Sequence, residues 1–288
     1  MKSTDHHDTL RASALLYTFI ALGLSVLTAV LGIFSVMRCY DASIGYYARG
    51  AVLPIILTIL CAASVIFFAV FAILRFRKRD VAYAKNPSLA VRITALASAA
   101  VALLLAITDL RSGASILSLL LGLGACLYFL LIATKNATPA LSLAFGVCAI
   151  FRWILVIAAS YRDVFLPMNS PEKTWLHLAA VAGIFFLISE LRALISKPYT
   201  ATWFFAAASA TLLSATAAVT MLTGELSHRF YGKTSLVFSV LLLCVAAYAG
   251  ARLVSMALCP KPEEEVIEPT EKIEEIEEPE ATEETEEE

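Results

Sequence analysis

The chain is 288 residues long, 59% hydrophobic and only 16% charged, with a mean hydropathy of +0.79. An average soluble domain carries about 25% charged residues, so these figures argue against a water-soluble fold and make a lipid bilayer the expected solvent. The formal net charge of −2 conceals two opposed parts: residues 260–288 hold 15 Glu and 2 Lys, whereas the preceding 259 hold 9 acidic and 20 basic side chains.

A spanning helix needs about 20 mainly apolar residues to cross a ~30 Å hydrocarbon layer. Runs of this kind occupy 14–37, 51–74, 93–108, 114–134, 140–160, 174–194, 202–223 and 235–258. They predict an all-α integral membrane protein, a polytopic bundle of about eight transmembrane helices with a short N-terminus (1–13). The Glu-rich tail 259–288 buries too little apolar surface to fold alone, so it is expected to be disordered.

The first run exceeds the apolar core of a signal peptide, and no small-residue cleavage site follows it, so it reads as a helix. The second ends in the basic cluster Arg75, Arg77, Lys78, Arg79, Lys85 and Arg92. Beside a membrane helix such a cluster suits anionic lipid headgroups, and nucleic acid is not an expected partner. The third run is the shortest, ending at Thr108. Between runs four and five, Asn136-Ala-Thr138 fits a glycosylation sequon but falls in a short loop expected to be cytoplasmic.

The fifth run carries Arg152 about 18 Å from its inner edge at 1.5 Å per residue, a depth from which neither surface is easily reached. A guanidinium so placed normally faces the bundle interior or water. It is therefore a candidate anion contact in a central cavity, or the partner of one buried carboxylate. Glu190, near the inner end of the sixth run, reads as the only acidic residue well inside a helix, with Arg192 and Arg252 at similar depth as ion-pair candidates. It is alternatively a proton or cation site. The seventh run is rich in Ala, Ser and Thr. Thr202, Ser209, Thr216 and Thr223 recur every seven positions, and Thr220 extends the same face. This face is either a close-packing seam or a hydroxyl-lined pathway wall with Ser209, Thr216 and Thr220 as ligand candidates.

Basic residues set orientation by their excess on the cytoplasmic side. With the N-terminus cytoplasmic, that side holds 11 Lys and Arg near the helix ends (tail omitted) against 7 opposite. An even number of spans then places both termini in the cytoplasm of a cell-membrane protein. Tyr46, Tyr47, Tyr161, Trp175, Phe230 and Tyr231 suit the outer interface, and Tyr199 and Trp203 the inner one. A faint parallel joins Ile66-Phe67-Phe68 to Ile184-Phe185-Phe186, each followed by Leu-Arg, as in an internal repeat. The six cysteines are scattered, and no P-loop, GxGxxG, HExxH or zinc pattern occurs, so no cofactor or metal is expected.

Gly113-Ala-Ser115 opens the fourth run and His177 the sixth, both at outer ends. This resembles rhomboid intramembrane proteases, and the resemblance implies Ser115 as nucleophile with His177 as its base. The chain departs from that pattern: Ile116 follows the serine where Gly is expected, the second run lacks the oxyanion-hole His and Asn, and no large first outer loop exists. Ser115 alternatively caps its helix.

Three functional readings follow. One is a transporter or permease-like protein for a small solute, with Arg152 as contact and Glu190 as coupling residue. Another is a non-catalytic scaffold or regulatory subunit whose tail recruits a basic cytoplasmic partner. The third is a rhomboid-like enzyme, and the chain is otherwise read as non-enzymatic. The orientation is testable: reporter fusions after Lys78 and after Glu288 are expected on the same, cytoplasmic face, and opposite faces refute the eight-span topology.

Overall fold

In hydrocarbon, backbone N–H and C=O groups must be satisfied within their own segment, which a helix alone achieves for a single span. The computed structural model describes residues 2–77, 87–111, 113, 115–134, 138–163, 167, 169–195, 199–230 and 236–258, with side chains from residue 10 onward. Among these residues the apolar runs form α1 (Lys2–Cys39), α2 (Val52–Phe76), α3 (Leu89–Arg111), α4 (Ile116–Thr134), α5 (Pro139–Arg162), α6 (Pro171–Ile195), α7 (Thr200–Leu226) and α8 (Leu236–Ala257). Each contains a stretch long and apolar enough to cross a membrane. The chain is a multi-pass membrane protein. The acidic tail 259–288, the sequon's Asn136, and Lys78, Arg79 and Lys85 of the basic cluster lie outside the described residues.

Two elements differ from the sequence expectation, each for a physical reason. α1 begins at Lys2 rather than near 14, because its polar first turns continue the helix beyond the apolar stretch that starts at Leu10. α3 runs from Leu89 to Arg111, beyond the apolar run 93–108 at both ends. The charges that bound that run do not end the helix, because each finds a partner on a neighbouring one: Arg92 Nε donates to Ala133 O at 2.8 Å, and Asp109 accepts from Arg152 and Ser118. Between α1 and α2 the short loop folds into a two-residue hairpin, β1 (Tyr40–Asp41) against β2 (Tyr46–Tyr47). Gly45 supplies the left-handed backbone (φ +71°) that closes its turn. Ser43 donates its N–H and O–H to the Asp41 carboxylate, which holds that group below its ordinary range.

Packing arranges the helices as a closed ring, α3–α4–α5–α6–α7–α8, with α3 returning onto α8. α1 and α2 pack outside the ring against α7, and α1 also touches α8. One end of the bundle bears the N-terminus of α1 and the other the hairpin. Aromatics fill the ring: Tyr128, Phe129, Phe186, Trp203 and Tyr248 pack edge to face through it, and Trp153 meets Phe238.

α7 is the most enclosed helix, held between α1, α2, α6 and α8. Its small residues permit this, since bilayer helices associate by close packing rather than by a hydrophobic drive. Thr216 bonds Thr28 of α1 at 2.7 Å and back-bonds Leu212 O at 2.8 Å. One turn further on, Thr220 lies against Gly32, where a methyl group would collide with its hydroxyl. Ser209 and Thr220 are buried with no hydrogen-bond partner among the described residues. Thr216 and Thr220 thus face α1 across a helix–helix seam, the close-packing alternative of the sequence reading. Overpacking such a contact costs about 1–3 kcal/mol. Gly32→Ala is expected to lower the melting temperature of the detergent-purified protein, and adding Thr220→Ala to restore most of the loss. Strictly additive effects in the double variant would refute the contact.

Candidate functional site

Among the described residues, two clusters join embedded charges of different helices, one toward each end. Toward the N-terminal end, Glu190 of α6 receives Arg252 of α8 through Nε (3.1 Å to each oxygen) and Nη2 (2.9 Å), and Trp203 Nε1 of α7 at 2.8 Å. Glu190 is 1% exposed and Arg252 4%. A carboxylate and a guanidinium tolerate such burial only when paired and hydrogen-bonded. Of the two arginines expected near Glu190, Arg252 forms the ion pair, and the Arg192 guanidinium stacks 3.9 Å over the ring of Tyr199. Trp203, expected at the interface, is instead fully buried because its N–H completes this cluster. Trp175, also expected at the interface, is buried near the start of α6.

Toward the hairpin end, Arg152 of α5 donates from Nη2 to Asp109 Oδ2 of α3 at 2.5 Å and from Nη1 to Ser118 Oγ of α4 at 2.8 Å. Ser118 in turn donates to Asp109 Oδ2 at 3.0 Å. Glu190 is therefore not the only acid embedded in the helices. Asp109 follows the last residue of the apolar run, so hydropathy alone does not place it in a helix, although α3 continues past it.

Of the two sequence-based readings of Arg152, the structure shows the pairing with one carboxylate, Asp109. Arg152 does not border a central cavity: the space beside it within the ring is about 20 Å³, room for one water at most. Its side chain instead climbs toward the hairpin end, where α4 and α5 leave a crevice of about 530 Å³. Ser115, Ser118, Arg152, Leu155, Arg162 and Asp163 are among its lining residues. Arg152 and Asp109 keep 14% and 19% of their side-chain surface exposed. A guanidinium has five N–H donors. Among the described residues only two of Arg152's are engaged. Beyond the rim, Lys173 Nζ donates to Asp163 O at 2.6 Å and ties the start of α6 to the end of α5.

A space of equal volume between α1, α7 and α8 offers no comparable chemistry. Its two hydroxyls, Ser25 and Thr211, are back-bonded to Ala21 O and Ala207 O of their own helices. Arg75 and Arg77, at the end of α2, are exposed, as a headgroup contact requires.

The residues of the rhomboid-like dyad have other partners. Ser115 Oγ accepts Ser118 N–H at 3.3 Å, as an N-cap does, and His177 Nε2 shares a hydrogen bond with Ser160 while its ring stacks on Tyr161. α5 packs between α4 and α6, the two helices that bear Ser115 and His177.

The fold and its two charge clusters define a polytopic membrane bundle that opens a polar crevice at one end. Comparison of the chain with protein families, with curated proteins and with solved structures finds no match.

Removing one member of a buried pair strands the other and costs about 3–5 kcal/mol, whereas replacing both with apolar groups is often near neutral. Glu190→Ala and Arg252→Ala are each expected to lower thermal stability in detergent strongly. The double variant Glu190→Leu/Arg252→Met should lose far less than the sum. Single substitutions without effect would contradict the cluster.

Proposed function

We propose that the protein is a non-enzymatic, permease-like membrane protein that receives the anionic group of a small solute at the hairpin-end crevice. In this reading the N-terminal end faces the cytoplasm and the crevice opens on the far side of the cell membrane. The observation that carries it is the contrast between the two arginines. Arg252 is enclosed and its pair is complete with Trp203, as a structural ion pair requires. Arg152 is only partly occupied by Asp109 and Ser118 and borders an open, polar space. A half-used guanidinium in a low-dielectric wall is the group suited to bidentate contact with a carboxylate or phosphate. The aromatic filling of the ring and the Glu190–Arg252–Trp203 cluster close the opposite end. A state open to one side alone is what alternating access demands.

The close packing of the ring interior supports a second reading, a scaffold that conducts nothing and recruits a basic cytoplasmic partner through residues 259–288. One experiment separates the two. Proteoliposomes holding the full chain are tested for uptake of inorganic phosphate, succinate, octanoate and dioctanoyl phosphatidylglycerol. Saturable movement of at least one is expected, falling by about tenfold or more in Arg152→Lys, because an ammonium does not reproduce the planar fork. No movement above protein-free liposomes would overturn the permease reading. Partner co-purification lost on deletion of 262–288 would then favour the scaffold.

A further inference from the structure

We propose that the anionic group received by the crevice belongs to a membrane amphiphile, a phosphate-bearing lipid that enters sideways from the hairpin-end leaflet. This rests on the reading above and names its substrate class.

The first argument is the opening. Phe151, Ile154, Ala158 and Tyr161 are spaced three, four and three apart, so they share one face of α5, and all four are exposed. In a bilayer that face meets acyl chains. Ala158 belongs both to this face and to the crevice lining, next to Leu155 and Ala159. The crevice is thus open to lipid along an apolar wall, which a path used only by a hydrated inorganic anion does not require.

The second argument is depth. Arg152 lies ten residues before Arg162 at the end of α5, about 15 Å at 1.5 Å per residue. Its partner Asp109, however, is only two residues before Arg111 at the end of α3, about 3 Å by the same rise. The guanidinium therefore points from its own backbone toward the hairpin end, the side from which a headgroup of that leaflet approaches.

The third argument is charge. Arg162 lines the same crevice at its rim, exposed and without an ion-pair or hydrogen-bond partner among the described residues. A phosphodiester between rim and floor meets a guanidinium on each side. The volume of about 530 Å³ lies within the range of sites that enclose organic ligands, roughly 300–1,000 Å³, and far exceeds the need of one phosphate ion.

The test uses the full chain in dodecyl maltoside, which carries no phosphate. Ala159→Cys is labelled with a water-soluble maleimide, and modification of its peptide is followed by mass spectrometry. Three probes are titrated: dioctanoyl phosphatidylglycerol, dioctanoylglycerol and inorganic phosphate. Only the first is expected to slow labelling severalfold. Arg162→Gln, a change at an exposed position, should raise its half-protecting concentration about tenfold, as loss of one charge-assisted contact does. Equal protection by inorganic phosphate overturns the lipid assignment and leaves the anion site standing. Equal protection by dioctanoylglycerol shows that apolar filling alone suffices, and overturns both. Protection insensitive to Arg162→Gln, or absent with all three probes, also refutes the lipid site.

Discussion

The bundle is organised by the cost of charge in a low dielectric. A charged side chain at a helix centre is penalised by about 2.5–3.5 kcal/mol on insertion scales, so each embedded charge must meet a partner on another helix. Glu190 binds Arg252 and Trp203, which joins α6, α7 and α8. Asp109 binds Arg152 and Ser118, which joins α3, α4 and α5. Every helix of the ring thus belongs to one of two triads, and the triads lie toward opposite ends. Buried pairs contribute little net stability against an apolar isostere. Their effect here is to fix which helices adjoin and in what register, because any other pairing strands an ion.

Apolar surface cannot do that work, because lipid tails are as apolar as the helices they surround. Close approach supplies the remainder. Gly32 against Thr220, Gly124 against Cys148 and Gly146 against Leu191 are contacts where an added methyl group would collide. The Thr28–Thr216 hydrogen bond sits in the same seam as the first of these. Thr216 and Thr220 of α7 are therefore elements of packing. The feature with open chemistry is on the far side of the ring, where α4 and α5 separate.

Helix number and the basic shape of the chain were legible because apolar length is a direct physical requirement for crossing hydrocarbon. Helix ends were less so, since hydropathy marks where lipid contact ends and a helix continues while its charges find partners, as Arg92 and Asp109 do. That Arg152 pairs within the bundle and that Glu190 adjoins Arg252 could be read from depth alone. Asp109 could have been found by asking which acid at a helix end lies within an arginine's reach of position 152. The crevice was not legible. It depends on how α4 and α5 meet in three dimensions, which no local pattern encodes. Trp203 shows the opposite failure: its position near a helix start suggests an interfacial ring, and only the tertiary fold brings Glu190 to its N–H.

The distribution of the two triads along the chain has a consequence for biogenesis. Membrane segments are synthesised from the N-terminus, and α3, α4 and α5 follow one another directly. Asp109 and Arg152 are thus both in the bilayer as soon as α5 has entered. Glu190 enters with α6, while Arg252 arrives only with α8, 62 residues later. Throughout that interval the nascent chain carries a lone carboxylate whose counterion is still in the ribosome or translocon. The last helix is therefore the one that brings the counterion, and until it arrives Glu190 has the Trp203 N–H of α7 but no guanidinium.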